Sequence, residues 1–160
     1  MANILIACEE SQAICKEFRK RGHNAFSCDI LECSGGHPEW HFKQDVLQVI
    51  PNHGGHLETG EEYFLPAGEE WDLMIAHPPC TYLSVSGARW LYHPDDANLP
   101  IEQRREHPHH IGRRKLKAEA EQFFLEFTKT KIKCWAIENP VGCMNTEYRK
   151  PDQIVQPFWF

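Results

Sequence analysis

Asn3-Ile4-Leu5-Ile6-Ala7-Cys8, then Ala13, Ile14 and Phe18 at helical spacing, then Gly22 and Ala25-Phe26-Ser27-Cys28-Asp29, is the stretch that decides the fold. The opening run is almost wholly apolar, which fits a strand covered on both faces, as strands of a parallel sheet are. From Ser11 the spacing turns helical, with Lys16, Arg19, Lys20 and Arg21 on the polar side and Gly22 as the stop signal. A second strand follows and ends on an acid. Strand, helix, strand and acid within about thirty residues is the opening of an α/β unit with a parallel sheet.

The rest of the chain extends that pattern. Trp71-Asp72-Leu73-Met74-Ile75-Ala76 restores an apolar strand, halted by Pro78-Pro79, and Ile132-Lys133-Cys134-Trp135-Ala136-Ile137 is another, running into Glu138. Between them the spacing predicts a helix over 113–130, with Leu116, Ala120, Phe123, Phe124 and Phe127 on one side. Residues 32–70, rich in Gly, Pro and His, read as a long irregular excursion with one turn of helix around Val46, Leu47, Val49 and Ile50. A short helix is expected within 82–91. Residues 92–112, with three prolines and four histidines, read as a loop free to move.

The expectation is a single α/β domain over 1–160, dinucleotide-type or methyltransferase-type, with a mostly parallel Rossmann-like sheet and helices on both faces. No internal repeat or low-complexity tract interrupts it. The best strands end on polar or reactive residues, and in an open α/β sheet ligands bind at that carboxyl edge.

A chain of 160 residues with five tryptophans and nine phenylalanines can bury a core of its own. No apolar run reaches the roughly 20 residues of a membrane span, and the start has no basic region leading into a hydrophobic stretch, so a soluble cytoplasmic protein without membrane contact is expected. Seven cysteines, an odd number at irregular spacing, read as reduced thiols. The formal charge of −6 argues against a broad nonspecific grip on a phosphate backbone, although basic residues concentrate at Arg104-Arg105 and Arg113-Arg114-Lys115 with Lys117. Such runs also arise as a solvated helix face.

Ala76-His77-Pro78-Pro79-Cys80 and Glu138-Asn139-Pro140-Val141-Gly142 are the strand ends that carry chemistry. Prolines fix the backbone, so a Pro-Pro-Cys turn mounts a thiol rigidly; the other reading of Cys80 is a small packed hydrophobe. A glutamate ending an apolar strand is costly unless it is hydrogen-bonded or used, so Glu138 reads as functional or as a structural acceptor capping the next loop.

In that order these segments resemble the cytosine carbon-5 DNA methyltransferases: a cofactor loop, an acid after the second strand, a Pro-Cys nucleophile, then Glu-Asn. Nearly end to end the chain is similar to a group of short phage and bacterial proteins of this kind, through Trp71-Asp72-Leu73-Met74-Ile75-Ala76-His77-Pro78-Pro79-Cys80-Thr81-Tyr82-Leu83-Ser84 and Glu138-Asn139-Pro140-Val141-Gly142. The resemblance implies a Rossmann-like methyltransferase sheet, S-adenosylmethionine as cofactor and cytosine in DNA or a nucleotide as substrate. For a phage-encoded member the compartment would be the host cytoplasm. It assigns Cys80 as nucleophile adding to carbon 6, with Glu138 and Asn139 beside the base; read from the residues themselves, Arg89 in Ser86-Gly87-Ala88-Arg89-Trp90 is a candidate cation near the pocket. An exposed loop arginine is the other reading of Arg89. Cofactor residues carried over by position are Ala7, Cys8, Glu9 and Ser11 in the first loop, Asp29 toward the ribose, Asp45 toward adenine and Pro78 as a wall. A turn cap also explains Asp29, and a helix N-cap explains Asp45.

Two departures stand out. The loop Cys8-Glu9-Glu10-Ser11-Gln12 has no glycine, where the family's has at least one. The chain also lacks the family's later Arg motif, target-recognition region and closing helix. It ends Gln156-Pro157-Phe158-Trp159-Phe160, an apolar terminus read as truncation, or as a contact with a partner subunit or a second copy.

The rival class is a noncatalytic methyltransferase-like protein that sequesters a nucleotide or blocks a partner. A metal site is not expected: Cys28, Cys33, His37, His41, His53 and His56 do not match structural-zinc spacing, and His107-Pro108-His109-His110 reads as solvated loop. A zinc deaminase would need a second cysteine after Pro79-Cys80.

Overall fold

The computed structural model describes residues 1–156, and the chain packs as two compact units: Met1–Pro79 with Glu126–Glu138, and Cys80–Leu125 with the chain from Asn139 onward. The sequence reads as one domain because nothing in it marks a linker; the chain instead crosses between the units at several points.

The first unit holds strands β1 (Asn3–Ala7), β2 (Asn24–Asp29), β3 (His41–Lys43), β4 (Gly54–His56), β5 (Glu62–Phe64), β6 (Leu73–Ala76) and β7 (Cys134–Ile137). Five of them form one sheet in the order β3-β2-β1-β6-β7, every neighbouring pair parallel. Ala7 pairs with Cys28 on one side and Ala76 on the other, and Ala76 pairs with Ile137, so the central strands end flush. All five residues of β1 are buried, the double-sided coverage its apolar run requires.

One face packs helix α1 (Ala13–Lys20). Ile4, Ile6, Cys15 and Ala25 form its buried centre, flanked by Ile14, Phe18, Leu73 and Ile75. The opposite face is aromatic: Phe26 lies against Tyr63, Phe42 and Trp71, with centroids 4.5, 5.1 and 6.3 Å away. Helix α2 (Val46–Asn52) contributes buried Val46 and Val49. Burial of each such side chain stabilises by about 1.5–3 kcal/mol, so this layering dominates the first unit's stability.

Residues 32–70 are more regular than the sequence suggests. They supply the sheet's edge strand β3, all of α2 and the antiparallel β4–β5 hairpin. Three-residue strands are too short to show an alternation. Here β3 is fixed by tertiary bonds: buried His41 meets the Ser27 hydroxyl through Nδ1 at 2.8 Å and the Leu31 carbonyl through Nε2 at 3.0 Å.

The second unit holds the short helix α3 (Val85–Ala88), most of α4 (Arg113–Phe127) and α5 (Met144–Glu147). Isolated bridges join Ser84 to Gly142 and Tyr92 to Glu106. Residues 92–112 are tied across their own length: the buried Asp96 carboxylate accepts from Arg105 Nη2 at 2.7 Å, Nε at 3.0 Å and the backbone N–H at 2.8 Å. His107 is buried against Trp90, not solvated. On α4, Phe124 and Phe127 are buried as their spacing requires, whereas Leu116 is 41% exposed. Among the described residues no helix is long and apolar enough to cross a membrane.

Candidate functional site

Strand order reverses at β1: the chain winds outward to β2 and β3, then returns to β6 and β7 on the other side. A crevice opens at such a reversal because the loops leaving the two central strands depart in opposite directions. A cavity of about 280 Å³ lies there, lined by Cys8, Glu9, Glu10, Ser11, Ala13 and Ile14 of the β1–α1 connection and by His77, the residue after β6.

The loop manages this turn without glycine. Cys8 and Gln12 both take left-handed backbone, at φ 58° and 56°. Each costs roughly 1–2 kcal/mol for an L-residue, so surrounding bonds must hold them. Gln12 is fully buried; its amide nitrogen donates to the His37 carbonyl at 2.8 Å and the Ser27 hydroxyl at 3.2 Å, and its oxygen accepts from the His37 N–H at 3.0 Å. Buried Glu9 accepts from the N–H groups of Ile14 at 2.6 Å and Cys15 at 3.2 Å, satisfying the open amino end of α1. Its carboxylate is a structural cap, which removes much of the repulsion that two loop glutamates would present to an anionic ligand.

The remaining cofactor candidates gather around Cys8 but do not all reach the cavity. Burial, then the charges of Asp29 and Asp45, push the Cys8 thiol up to about 12. Asp29 accepts from the Leu31 N–H at 3.0 Å, and Asp45 caps α2 through the Leu47 N–H at 2.9 Å. Both acids therefore carry the turn and cap roles, and neither borders the cavity. Ala7 is sealed within β1 and Pro78 is buried; Ser11 borders the cavity.

At the neighbouring strand ends, the Glu138 N–H donates to the Ala76 carbonyl and the His77 N–H to the Ala7 carbonyl, both at 2.9 Å. Glu138 Oε2 stands 3.9 Å from His77 Nδ1, beyond a hydrogen bond but within ion-pair reach of a protonated imidazole. The Glu138 side chain is 61% exposed, so it is not a buried structural acceptor.

In the second unit, Cys80 is half-buried, and its carbonyl accepts from the N–H groups of Leu83 at 3.0 Å and Ser84 at 3.1 Å. The chain that follows is bonded to the chain after Asn139: Val85 N–H to Val141 O at 3.1 Å and Cys143 N–H to Leu83 O at 3.0 Å. Gly142 is obligatory here, because a Cβ would overlap the Leu83 carbonyl oxygen. Asn139 donates to the Pro140 carbonyl at 2.9 Å, and its buried Oδ1 has no partner. Arg89 is exposed, its guanidinium 4.6 Å from the Trp90 ring centroid, in keeping with its reading as a surface arginine.

No family model, curated protein or solved structure matches this chain. Its chemistry must therefore be argued from geometry. All seven cysteines are free thiols, and among the described residues no group of three or more His, Cys, Asp or Glu is arranged to hold a metal. A larger cavity of about 440 Å³, bordered by His53, Trp71, Lys129, Lys131 and Ile132, lies at the opposite, amino edge of the sheet. The smaller one carries more weight, since it sits at the strand-order reversal beside the reactive strand ends.

Two residues of this region do not stand out in the sequence. His77 reads as framework before Pro-Pro-Cys, yet it joins the cavity wall to Glu138. Gln12 reads as a polar loop residue, yet it locks the glycine-free turn. A buried glutamine at a helix N-cap has no sequence signature.

Proposed function

We propose that this chain is a methyltransferase of Rossmann-like fold that modifies carbon 5 of cytosine, with S-adenosylmethionine in the cavity at the strand-order reversal. The observation that carries the proposal is the pairing of two chain segments at both ends: Ala76 beside Ile137 in the first unit, Ser84 beside Gly142 in the second. Cys80 lies between the first members of these pairs, Glu138 and Asn139 between the second. Each tie lies within one unit, so the segment that carries Cys80 and the segment that carries Glu138 and Asn139 are paired on either side of those residues.

Lining chemistry fits a cofactor that carries positive charge. Once Glu9 is taken up by α1, the Ser11 hydroxyl and Glu10, whose Oε2 accepts from the Ser34 hydroxyl, remain on the cavity wall, and they suit an ammonium and a sulfonium better than a phosphate. The volume is near the lower end for a small-molecule site. When bound, S-adenosylmethionine supplies the methyl group that carbon 5 takes.

The protein's own groups do the rest. The Cys80 sulfur adds to carbon 6 of cytosine as its thiol proton passes to solvent, forming a C–S bond and pushing electrons into the ring. Glu138 bonds ring N3 and the exocyclic amine, stabilising the charge that arrives there. Carbon 5 becomes nucleophilic. After it is methylated, solvent water takes the carbon-5 proton, the electron pair restores the C5=C6 bond, and the C–S bond breaks to release the Cys80 thiolate. Burial keeps the Cys8, Cys15 and Cys28 thiols protonated, which leaves them as packing groups.

Calorimetry with S-adenosylmethionine, followed by radiolabelled methyl transfer to cytosine-containing DNA, RNA and nucleotides, tests the reading. Saturable cofactor binding and Cys80-dependent labelling are expected. No binding at millimolar cofactor would instead favour a noncatalytic protein that sequesters a nucleotide or blocks a partner.

A further inference from the structure

Residues 104–117 hold Arg104, Arg105, Arg113, Arg114, Lys115 and Lys117, a basic concentration in a chain of formal charge −6. In the second unit the two runs converge: Arg104 and Arg114 both lie over the Tyr92 ring, 5.6 and 5.2 Å from its centroid. Arg113 lies 4.9 Å over Tyr82, and Arg89 4.6 Å over Trp90. Several of these cations are held in place. Arg104 donates from Nε to the Leu99 carbonyl at 2.7 Å and from Nη2 to the Ala97 carbonyl at 2.9 Å, and Arg113 Nη2 donates to the Thr81 carbonyl at 3.2 Å.

Not every cation in the cluster is available. Arg105 is neutralised by Asp96, and Lys117 by Glu121. Lys115 has only an exposed pairing with Glu119 at 3.7 Å. The first turn of α4 carries Arg113, Arg114 and Lys115 and no acid, against the usual preference for negative charge at that end of a helix. Folding accounts for part of this, since Glu106 accepts from the Gly112 N–H at 3.2 Å just before the helix and Arg113 is bonded to Thr81, but it gives no such role to Arg114 or Lys115. An anion-bearing partner does.

We propose that this surface of the second unit is a platform for single-stranded nucleic acid. Phosphates lie against Arg89, Arg104, Arg114 and Lys115, while unpaired bases stack on guanidinium planes already aligned by Tyr82, Trp90 and Tyr92. The aromatic component favours unpaired bases, because a duplex hides their faces, and the few free cations are too sparse to wrap one. Four guanidinium groups over three separate rings suit a strand rather than a single nucleotide. The inference deepens the proposed function by naming the form in which cytosine is presented, and rests on that reading only for what then happens to the base.

Fluorescence anisotropy of the intact chain with a labelled mixed-sequence single strand of about 20 nucleotides tests it, beside the matching duplex, at about 50 and 200 mM salt. The strand is expected to bind at least about tenfold tighter than the duplex and to weaken with salt. Arg114→Glu should weaken binding by about tenfold or more with unchanged thermal melting, and Tyr92→Phe should retain it better than Tyr92→Ala. The proposal is overturned if no strand binds, if duplex binds equally, if poly-glutamate competes as well as the strand, or if Arg114→Glu has no effect. Methyl transfer is not read in this experiment. A chain that binds the strand yet transfers nothing would refute the enzymatic reading alone.

Discussion

The first unit carries 15 acidic and 8 basic side chains and is built on a parallel sheet; the second carries 8 and 9 and is held by individual pairs. The contrast separates two ways of positioning a group. In the sheet unit, register and burial fix where Cys8, His77 and Glu138 emerge, and local bonds only trim the loops. In the second unit, Asp96 with Arg105 and Gly142 against Leu83 do what register does elsewhere. Under the proposed function the sheet unit would supply the cofactor cavity, and the second unit the reactive turn and the nucleic-acid surface.

The largest effect expected from breaking this division is on Cys80. Cys80→Ala should lower methyl incorporation by about 10³-fold or more while leaving the affinity for S-adenosylmethionine within about twofold, because the cavity belongs to the sheet unit. Filter-binding assays of labelled product and calorimetry read the two quantities. Equal loss of both would place the thiol in cofactor binding instead.

Next is Gly142→Ala, which forces a methyl group into the Leu83 carbonyl. A loss of about 2–3 kcal/mol in thermal unfolding is expected, since backbone must shift to admit it. Glu9→Ala removes an acceptor for two N–H groups at the start of α1 and should cost about 1–2 kcal/mol. Chemical denaturation of both variants ranks the two units' devices against each other.

The smallest effects are in pH dependence, and they have opposite signs. Hydrogen bonds from Arg105 hold the Asp96 carboxyl down to about 2. Its contribution is complete above the ordinary carboxylate range and lost as pH falls toward that value, so residues 92–112 should loosen in acid. Burial raises the Cys8 thiol to about 12, so its contribution is complete below the ordinary thiol range and lost as pH rises through it toward 12. Hydrogen exchange across the pH range should show the second unit opening first in acid and the β1–α1 loop opening first in alkali.

How far each unit was legible follows from the same contrast. The runs at Ile4-Leu5-Ile6, Met74-Ile75 and Trp135-Ala136-Ile137 announce β1, β6 and β7 because hydrophobic burial is written in residue type. Strand β3 and the β4–β5 hairpin were hidden, since they depend on pairs such as His41 with Ser27 that span many residues. The Pro-Pro-Cys and Glu-Asn ends were readable as strand ends. The functions of Glu9, Asp29 and Asp45 as caps were only partly readable, because a carboxylate that caps a helix and one that binds a ribose look alike in sequence. The convergence of two basic runs on Tyr92 had no sequence signal beyond their charge. The apolar terminus read as a contact segment lies, from residue 157 on, outside the described residues.

The most direct test of the central claim is intact-protein and peptide mass spectrometry after incubation with S-adenosylmethionine and a single-stranded oligonucleotide whose cytosines carry fluorine at carbon 5. Fluorine cannot leave as a proton does, so the elimination that frees the thiol is blocked. The expected result is one stable adduct, oligonucleotide plus one methyl group, on the peptide containing Cys80, absent in Cys80→Ala. No adduct under conditions where ordinary cytosine becomes methylated, or an adduct on Cys134 or Cys33 instead, would contradict it.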